Sequence, residues 1–462
     1  MIEQARLVPD AWRRPGSIVA IIGLGKSGVA AARLLAREGV RVYASDASDH
    51  PYAGEAAEAL RSVPWVEVEI GRHDLNKIRL AAGVVVSPGV PPDAPVLSAA
   101  RHAGVEIFSE LDLGFRALAA LRPGTRSIAI TGTNGKTTTT ALVAHLLSAA
   151  GLRATTAGNI GRPVTDLAMA NEAYQWLSLE VSSFQLHDSP NFAPEVGILT
   201  NLAPDHLDRY GTLDDYYGDK ARLFQHASPA SIWVSNADDP ASREVVLGVP
   251  GEHRYFSTQR PADAWYDRGG DRLMLQGEPL LPRGDLGLLG DHNVANALAA
   301  ALAAEAMGVA ASALPDGLRS FRALAHRMEP VREVGGVLWI NDSKATNIAS
   351  TEVAVTAMTR PFVLLLGGRH KGEPYTRLGP RLSGAARAVI AYGEAGPIVA
   401  RDLAETGVPV IEAGGFDDVM NRARALARPG DAVLLSPACS SYDMFENYEE
   451  RGRRFREIVE AW

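Results

Sequence analysis

Ile128-Ala129-Ile130-Thr131-Gly132-Thr133-Asn134-Gly135-Lys136-Thr137-Thr138-Thr139-Thr140, followed at once by ALVAHLLSAAG (141–151), reads as strand, glycine loop and helix. The apolar β-branched run is a buried strand, and the alanine- and leucine-rich stretch has helical period. Between them, Gly132 and Gly135 free the backbone to curl its N–H groups around phosphate oxygens. Lys136 is placed for the β and γ oxygens, and the Thr137 hydroxyl for Mg²⁺. A strict phosphate loop would carry glycine at position 130, where this chain has Ile130, so the loop is a shortened variant. A merely threonine-rich turn would not require lysine, hydroxyl, strand and helix to agree in this way.

The same grammar recurs on either side of this stretch. Upstream, Ile18–Ile22 leads into Gly23-Leu24-Gly25-Lys26-Ser27-Gly28 and a helical segment, and a second strand, Val40–Ala44, runs on to Asp46. Strand, G-x-G-x-x-G, helix and a following acid form a dinucleotide-type fold; read alone, they predict a nicotinamide dehydrogenase. A third strand, Val84–Val86, runs into Ser87-Pro88-Gly89. Downstream, apolar runs deliver Glu180, then Thr200-Asn201 and Asp205-His206-Leu207-Asp208, to the sheet edge that carries the phosphate loop. Glu180 suits Mg²⁺, a hard cation that prefers carboxylate oxygen. His206 is a candidate for a second metal or for substrate. Asn293, near the start of an alanine-rich helix, doubles as a helix-capping residue.

Glycine-punctuated openings at 17–28, 127–140 and 337–368 divide the chain into three α/β domains: 1–115 and 324–462, both Rossmann-like, around a central phosphate-loop domain, 116–323, with a parallel-rich sheet. The 462 residues agree with that number at roughly 150 residues per domain. A net charge of −8 opposes bulk nucleic-acid binding. The single cysteine, Cys439, excludes an internal disulfide and fits a reducing cytoplasm. The amino-terminal apolar run is too short for a leader or a membrane span, and Ala297–Leu314, interrupted by Glu305, reads as one buried helix. The expected protein is therefore cytoplasmic and not membrane-inserted, and is expected to act as a monomer.

The motifs GTNGKTTT (132–139), Glu180-Val181-Ser182-Ser183-Phe184-Gln185, NLAPDHLD (201–208), HNVAN (292–296) and NDSKATN (341–347) resemble those of the Mur ligases of peptidoglycan synthesis, over essentially the whole chain. Within that family, GLGKSG (23–28), the Ser87-Pro88-Gly89 turn and LSPACSSYDMFENYEERGRRF (435–455) look like the branch that joins D-glutamate to UDP-N-acetylmuramoyl-L-alanine. The resemblance implies an ATP-dependent amide ligase: ATP phosphorylates the substrate carboxylate, the glutamate amine attacks the acyl phosphate, and ADP and phosphate leave. It reassigns the first domain to the uridine diphosphate of the substrate, with Ser27, Asp46 and Ser87 as its contacts and Asn159 and His206 further along the substrate.

Gly132, Thr133, Asn134, Gly135, Lys136, Thr137 and Thr138 then cradle ATP, joined by Asn293 and Asn296 on the adenine side, Arg327 at the γ-phosphate, and Asp342 with Lys344. Lys136, His206, Lys220 and Arg327 become the catalytic set. Two Mg²⁺ ions are implied, one on Thr137 and Glu180, the other on His206 and Lys220. Because an ammonium cannot ligate Mg²⁺, Lys220 makes sense only as a carbamate. Thr346, Lys371, Ser441 and Tyr448 match the glutamate pocket, and ligands on the third domain imply closure against water. Two departures stand out: Ala47-Ser48 where some members carry arginine, and Tyr448 where many carry phenylalanine. A dehydrogenase would leave the phosphate loop unused, and a regulatory protein that had lost catalysis would be expected to lack Lys136, Glu180 or Lys220.

Overall fold

Val19–Ile22 (β1), Val42–Asp46 (β2), Val66–Ile70 (β3), Gly83–Val86 (β4) and Ile107–Ser109 (β5) form an all-parallel sheet in the order β3-β2-β1-β4-β5. The order reverses between β1 and β4, the place where such sheets open a ligand crevice at their carboxyl ends. The structure is a computed structural model that describes residues 7–48, 51–205 and 209–462. His206, expected as a ligand, lies outside the described residues.

A second sheet follows, built from Arg126–Thr131 (β6), Ala154–Gly158 (β7), Trp176–Glu180 (β8), Val196–Leu199 (β9), Ile232–Asn236 (β10), Glu252–Ser257 (β11), Ala264–Asp267 (β12), Arg272–Leu275 (β13) and Glu278–Pro282 (β14). Its nine strands run β14-β13-β12-β11-β10-β9-β6-β8-β7. All neighbours are parallel except the β12-β13-β14 meander at one edge.

The third sheet comprises Glu329–Val334 (β15), Val337–Asn341 (β16), Phe362–Gly367 (β17), Ala386–Tyr392 (β18), Val410–Ala413 (β19) and Ala432–Leu435 (β20), ordered β15-β16-β20-β17-β18-β19. Only the β15-β16 pair is antiparallel. Strands β17 and β20 are buried along their whole length, as expected for parallel strands covered on both faces.

The chain divides into two compact units, Met1–Arg283 with Ala295–Arg319, and Gly284–Val294 with Ser320–Trp462. The first contains both amino-terminal sheets. Its helix Glu110–Leu121, within which the 115/116 boundary falls, packs on the helix Val164–Met169 and shares one core with it through Leu111, Leu118, Val164 and Leu167. Each such fully buried side chain contributes about 1.5–3 kcal/mol. Glu110, fully buried, accepts both the Thr165 N–H and its hydroxyl at 2.7 Å and so ties the two helices together.

The run Ala297–Leu314 is not one helix. The helix Asp291–Ala306 stops there, Gly308 closing it while Val309 N bonds back to Ala304 O, and a separate helix, Leu314–Ser320, follows a short 3-10 turn. Apolar composition showed the burial but not the turn inside it. No described helix is long and apolar enough to cross a membrane.

Candidate active site

The phosphate loop leaves β6 and enters the helix Lys136–Ala149 at Gly135, whose φ of +83° is a left-handed conformation that glycine adopts without strain. A Cβ there would lie 2.3 Å from Asn296 Oδ1. Asn296, expected beside adenine, is buried beneath the loop, where its Oδ1 accepts the Thr139 hydroxyl at 3.2 Å. Thr133, also assigned to ATP, has its hydroxyl turned inward, donating to Ala203 O at 3.1 Å and accepting Ala203 N–H at 3.0 Å. Asn134 is held on both sides: Asn201 Oδ1 accepts its N–H at 3.0 Å, while Thr200 Oγ1 and Asn201 Nδ2 donate to its carbonyl at 2.6 and 3.0 Å. These partners come from the end of β9, so two neighbouring parallel strands fix the loop.

Lys136 Nζ donates to Gly132 O at 2.9 Å and Thr133 O at 2.7 Å. Lys220, one per cent exposed on the helix Leu213–Ala221, donates to the same Gly132 carbonyl at 2.8 Å and lies over the Tyr216 ring. Burial, reinforced by the Lys136 cation, holds the Lys220 amine well below the ordinary lysine range. Its helix is anchored through the adjacent Asp219, which pairs with His187 at 2.8 Å and Arg222 at 3.1 Å.

Glu180 ends β8, in register with Ile130 of β6. It is three per cent exposed; Oε1 accepts the Asn159 side-chain amide at 2.9 Å, and Oε2 is buried with no partner among the described residues. An acceptor-only oxygen left so at a phosphate loop suits a hard cation. Among the described residues no three His, Cys, Asp or Glu side chains gather as a ready-made metal nest.

Asn159 also lines a cavity of about 880 Å³ that follows the carboxyl edge of the first sheet, and Ser27, Asp46 and Ser87 line it too. All four residues assigned to the uridine-linked substrate within the described chain are therefore brought to one cavity. The turn that begins it is tightly packed: a Cβ on Gly28 would lie 1.9 Å from Gly23 O, which also accepts the Ser87 hydroxyl at 2.8 Å. The helix Lys26–Arg37 has no side-chain cap, so its first-turn N–H groups remain for an anion. Asp46 differs from the plain ribose-binding acid: its two oxygens accept Leu24 N–H at 2.7 Å and Ser48 N–H at 2.9 Å, bracing the glycine turn.

In the second unit, Arg327 stands between His326 and Met328, both at positive φ, +65° and +44°. Such strain persists only where the surroundings enforce it. Here His326 N–H donates to Glu329 and its ring Nδ1 accepts the Asn341 side-chain amide at 3.0 Å, while Met328 N–H donates to Asp342 Oδ1 at 3.1 Å. Asp342 is pushed up to about 7 by burial, against the Ser436 hydroxyl at 2.8 Å. Lys344 lies 3.8 Å over the Tyr448 ring, so an assigned nucleotide-side lysine and an assigned amino-acid-side ring touch. Asn293 donates its side-chain amide to Leu289 O at 2.8 Å, a bond that does not satisfy the free N–H groups of the helix start as a cap would. Ser441 is buried, and its carbonyl accepts the Met444 and Phe445 N–H groups. Cys439, hydrogen-bonded to Tyr375 and raised to about 11 by burial, is no nucleophile.

Arg451 was missed by sequence reasoning. Fully buried, it donates to the Ser343 hydroxyl and carbonyl at 2.9 Å each and to Cys439 O at 3.2 Å, fastening the Asp342–Lys344 loop to the loop that carries Ser441. Its signal was the i, i+4, i+8 stripe with Phe455 and Val459 inside an otherwise charged helix.

A parallel-sheet α/β chain with a lysine-bearing phosphate loop, a half-partnered buried carboxylate beside it and a crevice at a sheet's switch point is a P-loop nucleotide-binding protein. Three family descriptions match it in sequence: Mur ligase MurD-like, N-terminal domain over residues 17–109, Mur ligase middle domain over 130–304, and Mur ligase, glutamate ligase domain over 326–439. The chain belongs to the Mur ligase family. It is 40% identical over 458 residues to the UDP-N-acetylmuramoylalanine--D-glutamate ligase of Acidobacterium capsulatum (96% of each chain) and 42% identical over 450 residues to that of Chromobacterium violaceum (96% of this chain, 97% of the relative). In fold it resembles the UDP-N-acetylmuramate-alanine ligase of Thermotoga maritima, with a TM-score of 0.60 at 19% identity over 96% of this chain and 99% of that one.

Proposed function

We propose that this ligase joins D-glutamate to UDP-N-acetylmuramoyl-L-alanine at the expense of ATP, in the making of peptidoglycan precursors for the cell wall. One observation carries the reading: Asn159 both lines the substrate cavity and holds Glu180, so the far end of a ligand in that cavity reaches the phosphate-loop carboxylate. The names and identity of the relatives support the choice of substrate and amino acid.

A free carboxylate is a poor electrophile, and converting it to an acyl phosphate requires crowded phosphate oxygens to be neutralised and aligned. With the Thr133 and Asn134 N–H groups engaged by Asn201, the N–H groups from Gly135 to Thr138 bind the phosphates, and Lys136 leaves its own loop carbonyls for the β and γ oxygens. Mg²⁺, when bound, screens those oxygens. Thr137 and Glu180 would hold one ion, and Lys220 with His206 the other. Lys220 serves as a carbamate: its neutral amine adds to carbon dioxide and one proton leaves, so the side chain becomes an anion. Burial beside Lys136 disfavours the protonated amine and so favours the form that the addition requires.

Asn293 and Asn296 belong to the adenine end, the latter by supporting the loop. Arg327 meets the γ-phosphate, and Asp342 with Lys344 completes the nucleotide side. Thr346, Lys371, Ser441 and Tyr448 bind glutamate; Lys371 supplies the cation for a carboxylate, and the amine is left unpaired and neutral for attack. The enzyme works as a cytoplasmic monomer. Phosphate release measured with the uridine-linked substrate, ATP, Mg²⁺ and each amino acid in turn tests the reading. Release with D-glutamate is expected; release with another amino acid alone would replace the assignment.

A further inference from the structure

The cavity at the first sheet has a direction. If it takes the uridine-linked substrate, as proposed above, the diphosphate belongs at the Gly23–Gly28 turn and the reacting carboxylate at Asn159, leaving the base for the opposite end, beyond β2 and β3. Asp46, Ser48, His73 and Leu75 line that end. Uracil presents two carbonyl oxygens on either side of one N–H, so at least one donor must face it. Asp46, an acceptor, cannot supply one.

We propose that His73 is the residue that recognises the base, through Nε2 against a uracil carbonyl oxygen. Its Nδ1 is engaged by Ser45 Oγ at 2.9 Å, and Nε2 has no partner among the described residues. The segment is fixed on both sides. Gly71 N–H donates to Ser48 O at 3.3 Å, and Asp74 N–H donates to Tyr43 OH at 2.8 Å. Asp74 in turn caps the helix Leu75–Arg79. A ring held by its neighbours loses little entropy on binding. Burial lowers the imidazole below its ordinary range, so it is neutral at pH 7 and binds as a hydrogen-bonding group rather than a charge. Leu75, still 37% exposed in the cavity wall, offers an apolar surface to the face of the base.

The test separates base from phosphate by titrating the full-length protein with UDP and with inorganic pyrophosphate. His73→Ala is expected to weaken UDP, and to raise KM for the uridine-linked substrate, about tenfold, the worth of one hydrogen bond. Pyrophosphate affinity, kcat and the KM for ATP should stay at their original values. His73→Gln, which keeps an amide donor, should recover part of the loss. Unchanged UDP affinity in His73→Ala would overturn the proposal, as would equal weakening of UDP and pyrophosphate. Wild-type protein that turns over ATP but binds no UDP would remove the cavity assignment and this proposal with it.

Discussion

Replacing Gly135 by alanine tests whether the phosphate loop is as tightly determined as it looks. Two costs follow from its geometry. A left-handed backbone costs an L-residue about 1–2 kcal/mol. The new Cβ, 2.3 Å from Asn296 Oδ1, must also push that side chain aside and forfeit its bond to Thr139, worth about 1 kcal/mol. The sum, roughly 2–3 kcal/mol, corresponds to a Tm lower by about 5–10 °C. Relieving the clash moves loop or asparagine by about 1 Å, and a misplacement of that size costs on the order of a hundredfold in rate. Gly135→Ala should therefore lower kcat/KM for ATP about a hundredfold and leave UDP binding intact, as read by phosphate release and calorimetry. Gly135→Ala with Asn296→Ala removes the collision but not the backbone strain, and should be more active than Gly135→Ala alone. A single variant with normal Tm and normal ATP kinetics would refute the reasoning.

Lys136→Ala should leave Tm near wild type and reduce phosphate release below about 1%, since the loop lysine stabilises charge on the transferring group; near-normal turnover would remove its role. Lys220→Ala should cost orders of magnitude in activity, and native mass spectrometry of active wild type should show a carbon dioxide adduct that the variant lacks. Lys371→Ala should raise KM for glutamate at least tenfold and leave KM for ATP unchanged, with glutamine a poor substrate because the lysine would lose its carboxylate partner. Glu110, fully buried and pushed up to about 7, binds its proton more tightly folded than unfolded. Its contribution is full below about pH 4.5 and is lost as pH rises through 7, by up to about 3 kcal/mol. Tm of wild type should fall relative to that of Glu110→Gln between pH 5 and 8, and parallel curves would contradict this.

Most of the fold was legible because parallel strands buried on both faces write themselves as short apolar runs, and each ended at a residue with chemistry: Asp46, Ser87, Glu180, Thr200. The phosphate loop was legible for the same reason, its glycines being demanded by the backbone. What could not be read was how side chains spend their hydrogen bonds. Asp46 stands at the position of a ribose ligand and its oxygens also brace Leu24 and Ser48, and Asn296, assigned to the adenine end, also accepts the Thr139 hydroxyl beneath the loop. Spacing places a residue on an edge; only three-dimensional packing shows which of its oxygens are already taken. Arg451 and His73 were obscure for the opposite reason, each sitting in a charged or polar stretch whose ordinary reading is a solvated surface.

The most direct measurement is a single reaction: purified protein, UDP-N-acetylmuramoyl-L-alanine, ATP and Mg²⁺, with D-glutamate in one vessel and L-glutamate in another, product followed by mass spectrometry and phosphate by colorimetry. The expected result is one amide product and one phosphate for each ADP, with D-glutamate and not with L-glutamate. Phosphate released without amide, or equal amide formation from both enantiomers, would contradict the proposed ligase.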